Sequence, residues 1–565
     1  MSPVETAGGI PSSIEIAQSA RPLQILEIAR RAGVRLEELE MYGSYKAKVL
    51  LKVLERIQSR PLGRLIVVTA MTPTEAGEGK TSTAIGLTQA MGRLRKKVIL
   101  TLREPSIGPI FGVKGGACGS GYSQILPMED INLHFTGDIH AIGTAHNLLA
   151  AMVDNHVLQG NELKIDPQRI LWRRVTEIPD RNLRHVEVGR GGDGYLRRET
   201  GFDITVASEI MAILALASSF SDLKKRLGQM VVAVAQDGMP VTAEQIRSVG
   251  AMVLLLKDAV NPNLAQTLEG QPVFIHTGPF ANLAHGTSSV LAAKMALRLA
   301  DYCVTECGFG TDLGLEKFCD LVALGTEFKP EVAVLVVTVR ALKVHGGLSM
   351  QEASGTADTK ALQRGFENME QHLKVIRRFG LTPVVTINRF ASDAEMELRL
   401  IQEHCLGLGV RCSVSTVSEQ GGAGGIHLAQ EVLGALQEKS SRFTPLYTPE
   451  LSIQQKIETI AREIYGADGV EYSESAPSDI QWLTRHGFDK LPVNVAKTQL
   501  SLTDDPQRKG VPMGWKLKVR QIRVAAGAGF LVALTGKILT LPGLPKHPLA
   551  EQLDIDANGK VTGLF

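Results

Sequence analysis

Residues 67–83, VVTAMTPTEAGEGKTST, pass from a β-branched apolar run into a loop that carries two glycines, a lysine and several hydroxyls. Those residue types at that spacing suit an anion. In the segment Thr74, Glu75, Ala76, Gly77, Glu78, Gly79, Lys80, Thr81, the glycines permit positive φ and let backbone N–H groups approach a phosphate. Lys80 adds a mobile point charge for the terminal phosphates, and Thr81 or Ser82 a hydroxyl for Mg²⁺. The pattern G-x-x-x-x-G-K-[ST] is met except at its first position, where Thr74 replaces glycine. The weight of the match therefore rests on its context, a strand before the loop and a helix whose N-terminus points at it.

The elements that must position this loop read as follows. LIVVTA (65–70) and KVILTL (97–102) are apolar on both faces, as strands of a buried parallel sheet are. Between them Ile85, Thr88, Met91 and Leu94 recur at helical spacing, which predicts a right-handed βαβ unit over 65–102. Strands joined in this way have neighbouring carboxyl tips, where open α/β sheets bind ligands. Arg103 and Glu104, just past the second strand, are therefore expected beside the loop, with the arginine suited to a bidentate grip on carboxylate or phosphate. The structural alternative is an Arg103 pairing with Glu104 or a surface carboxylate.

Further buried strands are predicted at 332–339, 383–387 and 412–416. A second cluster, VVAVA (231–235), MVLLL (252–256) and VFIH (273–276), reads as a middle α/β unit inserted into the first sheet. Residues 442–452 read as a linker, and 493–498, 515–524 and 530–536 as strands of a last, smaller domain. The expected class is α/β, with a phosphate-loop-containing, mostly parallel sheet domain (1–137 and 329–441). A middle α/β domain (138–328) is inserted into it, and a C-terminal α/β domain (442–565) follows.

The composition removes whole classes of function. With 61 basic against 59 acidic residues among 565, the net charge of +2 gives no global field for nucleic acid or anionic membrane. The most apolar run, IMAILALASSF, is well short of the ~20 residues of a membrane span, and residues 1–20 lack a secretory pattern. The six cysteines form no C-x-x-C pair, the pattern of reduced, mostly buried thiols in a cytoplasmic protein. Residues 127–156 concentrate Glu129, Asp130, His134, Asp138, His140, His146, Asp154 and His156, but without transition-metal spacing, so structural hydrogen bonding or substrate positioning is expected there. GVKGGACGSGY (112–122), five glycines in eleven residues, is expected to be a loop that closes over anionic substrate or packs against other backbone.

Together these motifs resemble formate–tetrahydrofolate ligase along essentially the whole chain. TPTEAGEGKT looks like the family's nucleotide loop. GVKGGACGSGY is similar to its first signature, with Cys118 and Ser120 where small Ala and Gly are usual, and VTVRALKVHGG (337–347) to its second. PMEDINLHFTGD, RETGFDITVASE, GPFANLAHG, VTECGFGTDLGLEKF, KTQLSLTDDP and ALTGKILTLPGLP are also close to family text. The resemblance implies that formate attacks the γ-phosphate of ATP and that N10 of tetrahydrofolate, with or without a polyglutamate tail, then takes the formyl group. It implies that Arg103 grips formate and formyl phosphate, and that Glu104 lies near an activating K⁺ or NH₄⁺. It also implies that Phe390 stacks on the pterin, and that the assembly is a homotetramer of the monofunctional form. One departure is plain. After Val417 the family has a tryptophan, the second wall of the pterin slot, and here Ser418 stands in that position before the retained GGAGG turn. Two other readings remain open on the residues: a nucleotide-switch ATPase without ligase chemistry, and a family member with an altered acceptor site.

Overall fold

The computed structural model describes residues 11–112, 117–191, 196–355, 357–438, 441–536 and 539–564. Its centre is a twelve-stranded, mainly parallel sheet. The seven parallel strands are β1 (Arg64–Ala70), β2 (Val98–Leu102), β3 (Pro272–Ile275), β4 (Tyr302–Glu306), β5 (Pro330–Val337), β6 (Thr382–Asn388) and β7 (Arg411–Ser415), in the order β3-β2-β4-β1-β5-β6-β7. Beyond β3 the sheet continues antiparallel through Asn263–Thr267, Ala47–Val49 and Leu39–Met41. Successive side chains of a strand point to opposite faces, and β1 shows the result. Leu65 and Val67 enter one buried core, while Ile66, Val68 and Ala70 enter another across the sheet. Both faces are covered, which is why these strands read as continuous apolar runs.

The helices that matter for the site are α1 (Lys80–Arg93), α2 (Asp138–Leu158), α3 (Glu209–Leu216), α4 (Val339–His345), α5 (Thr359–Arg378) and α6 (Val417–Gln420). In α1 the expected stripe residues Ile85, Thr88 and Met91 are buried. Among the described residues no helix is long and apolar enough to cross a membrane. The apolar run at 210–220 is instead largely α3, buried along its whole length.

Four expectations are corrected. β1 and β2 are joined through α1 but are not neighbours, because β4, some two hundred positions later in the chain, pairs with both. Residues 252–256 are not a strand. Most of them belong to the helix Val249–Leu255, since a short apolar run by itself does not distinguish a helix from a strand. VFIH is β3 of the central sheet rather than part of a separate middle cluster. Within the glycine-rich segment, Gly119–Ser120 pairs with Ser123–Leu126 as a short hairpin, whereas residues 113–116 lie outside the described residues. Val231–Ala235 does build a small second sheet with Ile165–Ile170 and Pro240–Thr242. The C-terminal strands form a four-stranded sheet that also includes Gly469–Tyr472, a strand absent from the sequence reading.

Buried charges tie the C-terminal segment to the rest. Lys497 lies 2.8 Å from Asp312, both side chains fully buried. The Lys497 ammonium also donates to the Thr498 and Ser501 carbonyls at 3.0 and 2.6 Å. At the other end of this contact Glu209, the first residue of α3, accepts from the Gly527 and Ala528 N–H groups at 2.8 and 3.2 Å. Burial pushes the Glu209 carboxyl up from 4.5 to about 7, against those two donors, which favour the anion. A carboxyl raised in the folded state stabilises fully below its unfolded value, near 4.5, and the contribution is lost as pH rises through 7. Glu209→Gln, which keeps both acceptor contacts without the charge, is expected to flatten that loss. Relative to wild type, the variant should gain about 3 kcal/mol at most between pH 5 and pH 8. Urea unfolding at the two pH values reads this directly, and parallel stability curves for the two proteins count against the assignment.

Candidate active site

The loop expected from sequence leaves β1 and enters α1 with Gly79 as the N-cap. Gly77 and Gly79 both adopt φ +74°, a left-handed conformation that a side chain disfavours. Glu78 between them is buried and turned into the protein. Its Oε1 accepts from the Thr74 N–H and hydroxyl at 2.7 and 2.8 Å, and its Oε2 from the Thr338 hydroxyl. The one carboxylate buried within the loop is thus held by donors from its own start and from the end of β5. The Asn388 amide at the tip of β6 donates to the Glu78 carbonyl at 3.1 Å, and Arg340, on α4, donates to the Gly77 carbonyl at 3.2 Å. Glu75, Ala76 and Gly77 are exposed, which leaves the loop's outer side to solvent.

Across β4 from the loop stands Arg103, just past the end of β2. Its ion pair is with Glu306, the last residue of β4, at 3.6 Å, and among the described residues neither Glu104 nor a remote surface carboxylate is its partner. Glu306 also accepts from the Thr81 hydroxyl at 2.7 Å. Thr81, Arg103, Glu104 and Glu306 share the lining of one cavity of about 140 Å³, with Ser106, Val206 and Phe280 among the other walls. That volume is below the roughly 300–1,000 Å³ of pockets for drug-sized ligands and suits a small anion. Glu306 is the residue that sequence reasoning missed. It lies within one of the quoted family strings, but its only separate signal is its place at the end of a buried strand.

Glu104 lines the cavity and is also part of a buried network. Burial and the neighbouring Asp138 push its carboxyl far above the ordinary range, with Lys48 opposing. Asp138, the first residue of α2, accepts from the Lys48 ammonium at 2.7 and 2.9 Å and from the Asn263 amide at 2.9 Å. Among the described residues Glu104 Oε2 has no hydrogen-bond partner, and neither does the Thr277 hydroxyl, on the residue whose carbonyl accepts from the Glu104 N–H at 2.7 Å.

The two residues expected at the acceptor, Phe390 and Ser418, reach the loop and its helix only through intermediates, Arg340 and Ser120. Phe390 follows β6, half-buried, with the Arg340 guanidinium 5.0 Å from its ring centroid. Ser418 is the second residue of the short helix α6 and turns its hydroxyl to Ser120 at 3.1 Å, while Ser120 in turn meets Ser82 at 2.8 Å. Neither residue lines the cavity at Arg103.

The acidic and histidine-rich segment is distributed among structural contacts. His146 is buried and neutral, its value lowered by burial to about 4. Its Nε2–H donates to the Arg173 carbonyl at 2.8 Å, which leaves Nδ1 to accept from the Ser208 hydroxyl at 2.8 Å. Asp154 binds Arg174 and Arg198, and His156 accepts from the Leu163 N–H at 3.1 Å. Among the described residues no group of three or more His, Cys, Asp or Glu side chains could hold a metal. The six cysteines are free thiols, five of them buried.

The chain is an α/β protein with a glycine-rich loop and an arginine at the carboxyl edge of its mainly parallel sheet, the edge where open α/β sheets bind ligands. The family model for formate–tetrahydrofolate ligase matches residues 11–565, and the chain belongs to that family. It is therefore an ATP-dependent ligase that joins formate to tetrahydrofolate, which decides against the switch-ATPase alternative.

The two loop glycines give an internal control. A Cβ on Gly79 would lie 2.3 Å from the Asn388 amide nitrogen, whereas one on Gly77 meets nothing within 4 Å. Both share the same φ, so Gly77→Ala incurs only the left-handed strain of about 1–2 kcal/mol. Gly79→Ala must in addition displace the brace from β6. Binding of an ATP analogue is expected to fall more than tenfold further in Gly79→Ala than in Gly77→Ala. Equal losses would mean that Asn388 does not hold the loop.

Proposed function

We propose that formate is activated as formyl phosphate at the cavity between the loop and Arg103, and that N10 of tetrahydrofolate receives the formyl group there. A formate oxygen attacks the γ-phosphorus and ADP leaves. N10 then attacks the formyl carbon, phosphate departs, and N10 gives up its proton. The observation that carries this reading is the shared lining of the cavity by Thr81, in the first turn of α1, and by Arg103 and Glu306 at the tips of the neighbouring strands β2 and β4. Phosphoryl transfer needs alignment and charge neutralisation more than covalent help from the protein. In this assignment the loop 74–79, with Lys80, Thr81 and Ser82, binds the phosphates. Arg103 orients first formate and then the formyl phosphate that replaces it. Phe390 stacks on the pterin.

Mg²⁺ bound with ATP supplies further neutralisation of the phosphate oxygens, and the Thr81 hydroxyl and Glu306 carboxylate are an oxygen pair of the right type to hold it. The unpartnered oxygens of Glu104 and Thr277 are likewise of the type that suits a monovalent cation such as K⁺ or NH₄⁺. A homotetramer is carried over from the family resemblance. A second reading, formate activation with an altered acceptor, is favoured by one observation, the contact of Ser418 with Ser120 rather than with an aromatic partner. ATP-dependent formylation of tetrahydrofolate, measured beside formate-dependent ADP release without folate, separates the two. Formyl phosphate formation without formyl transfer would select the second.

Lys80→Ala is expected to keep the fold and lose at least a hundredfold in formylation, because a charge at the transferring phosphate contributes roughly 3 kcal/mol or more to the transition state. Near-wild-type turnover of the folded variant would remove Lys80 from the chemistry. Arg103→Lys tests the fork rather than the charge. An ammonium cannot reproduce two parallel N–H donors, so kcat/KM for formate should fall about a hundredfold while ATP-analogue binding changes less than threefold. Equal loss of both would make Arg103 a general phosphate ligand.

A further inference from the structure

Ser82, Ser120 and Ser418 come from three separate elements and meet hydroxyl to hydroxyl. Ser82 is in the first turn of α1, Ser120 in the hairpin Gly119–Ser120, and Ser418 in α6. The separations are 2.8 Å from Ser82 to Ser120 and 3.1 Å from Ser120 to Ser418, so Ser120 is the middle member and bonds both ends. The backbone at 418 has no freedom to retreat. Its carbonyl accepts from the Tyr122 N–H at 2.8 Å. A Cβ on Gly121 would lie 1.9 Å from that same oxygen. The preceding Val417 is buried against α1, where a Cβ on Gly86 would meet it at 2.4 Å. With the main chain fixed on both sides, the space open to side chain 418 is set by what stands opposite, and that is the Ser120 hydroxyl.

We propose that Ser120 determines which side chain position 418 can present to the acceptor, so that the two serines act as one specificity-setting pair. The inference rests on the reading that position 418 borders the acceptor pocket. Two hydroxyls in contact make a shallow polar wall, which recognises an acceptor through hydrogen bonds. An indole at 418 needs the volume that Ser120 fills, and to enter it must break the hydroxyl's bonds to both neighbours. A large aromatic at 418 therefore requires a smaller residue at 120. The pairing is invisible along the chain, where the two positions are 298 apart.

The test is a double-mutant cycle on the full-length protein. Tetrahydrofolate binding is measured by calorimetry for wild type, Ser418→Trp, Ser120→Gly and the combination, with ADP binding as a parallel readout of the nucleotide side. Ser418→Trp alone is expected to leave folate affinity unchanged or weaker. In the Ser120→Gly background the same substitution should tighten it roughly tenfold, the scale of one aromatic stacking contact. Ser120→Ala, which keeps the Cβ, should fall between the two backgrounds, and Ser418→Phe replaces Ser418→Trp if the indole variant does not fold. The same factor for Ser418→Trp in both backgrounds overturns the pairing while leaving the ligase reading intact. No tetrahydrofolate binding by the wild type overturns the acceptor assignment, and the pairing with it.

Discussion

Glu306 accepts from the Thr81 hydroxyl on one side and faces the Arg103 guanidinium on the other, and the relation between the loop and the arginine depends on it. The Arg103 guanidinium and the positive end of α1 approach each other across β4. One carboxylate at the tip of the intervening strand offsets part of that charge without occupying the arginine. The contrast with other ion pairs here is informative. Arg56 holds Glu38 at 2.5 Å and Arg93 holds Glu269 at 2.7 Å, whereas Arg103 stands 3.6 Å from Glu306, beyond hydrogen-bond length. A partly exposed pair at that distance is screened and weak. Arg103 is oriented by it and remains available to a stronger anion.

The loop itself is held from the opposite side. Glu78, an acidic residue in a phosphate-binding segment, would repel its ligand if it faced outward. Buried, with donors from Thr74 and Thr338, it instead fixes the loop to the end of β5, and Asn388 does the same from β6. Left-handed glycines on both sides of Glu78 let the chain turn its carboxylate inward. The proposed anion grip thus draws on the tips of five adjacent strands, β2, β4, β1, β5 and β6. Its geometry is a property of the sheet rather than of the loop.

This explains which parts were legible in the sequence. The parallel strands were, because burial on both faces writes an unbroken apolar run at 65–70 or 383–387. The loop was, because glycine, lysine and hydroxyls are local requirements. Strand order was not. The insertion of β4 between β1 and β2 is a pairing across some two hundred residues, and Tyr302–Glu306 reads no differently from any other short strand. The prediction that Arg103 neighbours the loop through adjacent strands had the wrong geometry, and the pocket forms because Glu306 bridges the extra strand. Residues 252–256 misled for the opposite reason, since five apolar residues fit a helix of one neighbourhood as well as a strand of another. The contact between Ser120 and Ser418 had no local signature at all.

Position 418 differs from the grip in where it lies. It follows β7, the outermost parallel strand on that side, separated from β1 by β5 and β6. α1 spans the distance, with its first turn at the loop and Gly86 against Val417. Substitution at the outer tip therefore changes what lies beyond the sheet edge and leaves the braces at Glu78 and Asn388 untouched. The magnitudes support the same separation. An aromatic stacking contact contributes about 0.5–1.5 kcal/mol beyond its buried area, and a neutral hydrogen bond about 0.5–1.5 kcal/mol net. On the proposed acceptor assignment, exchanging an aromatic wall for a pair of hydroxyls thus alters the kind of recognition more than its strength. A ligase can make that exchange at the edge of the sheet while the phosphate chemistry at the centre is kept.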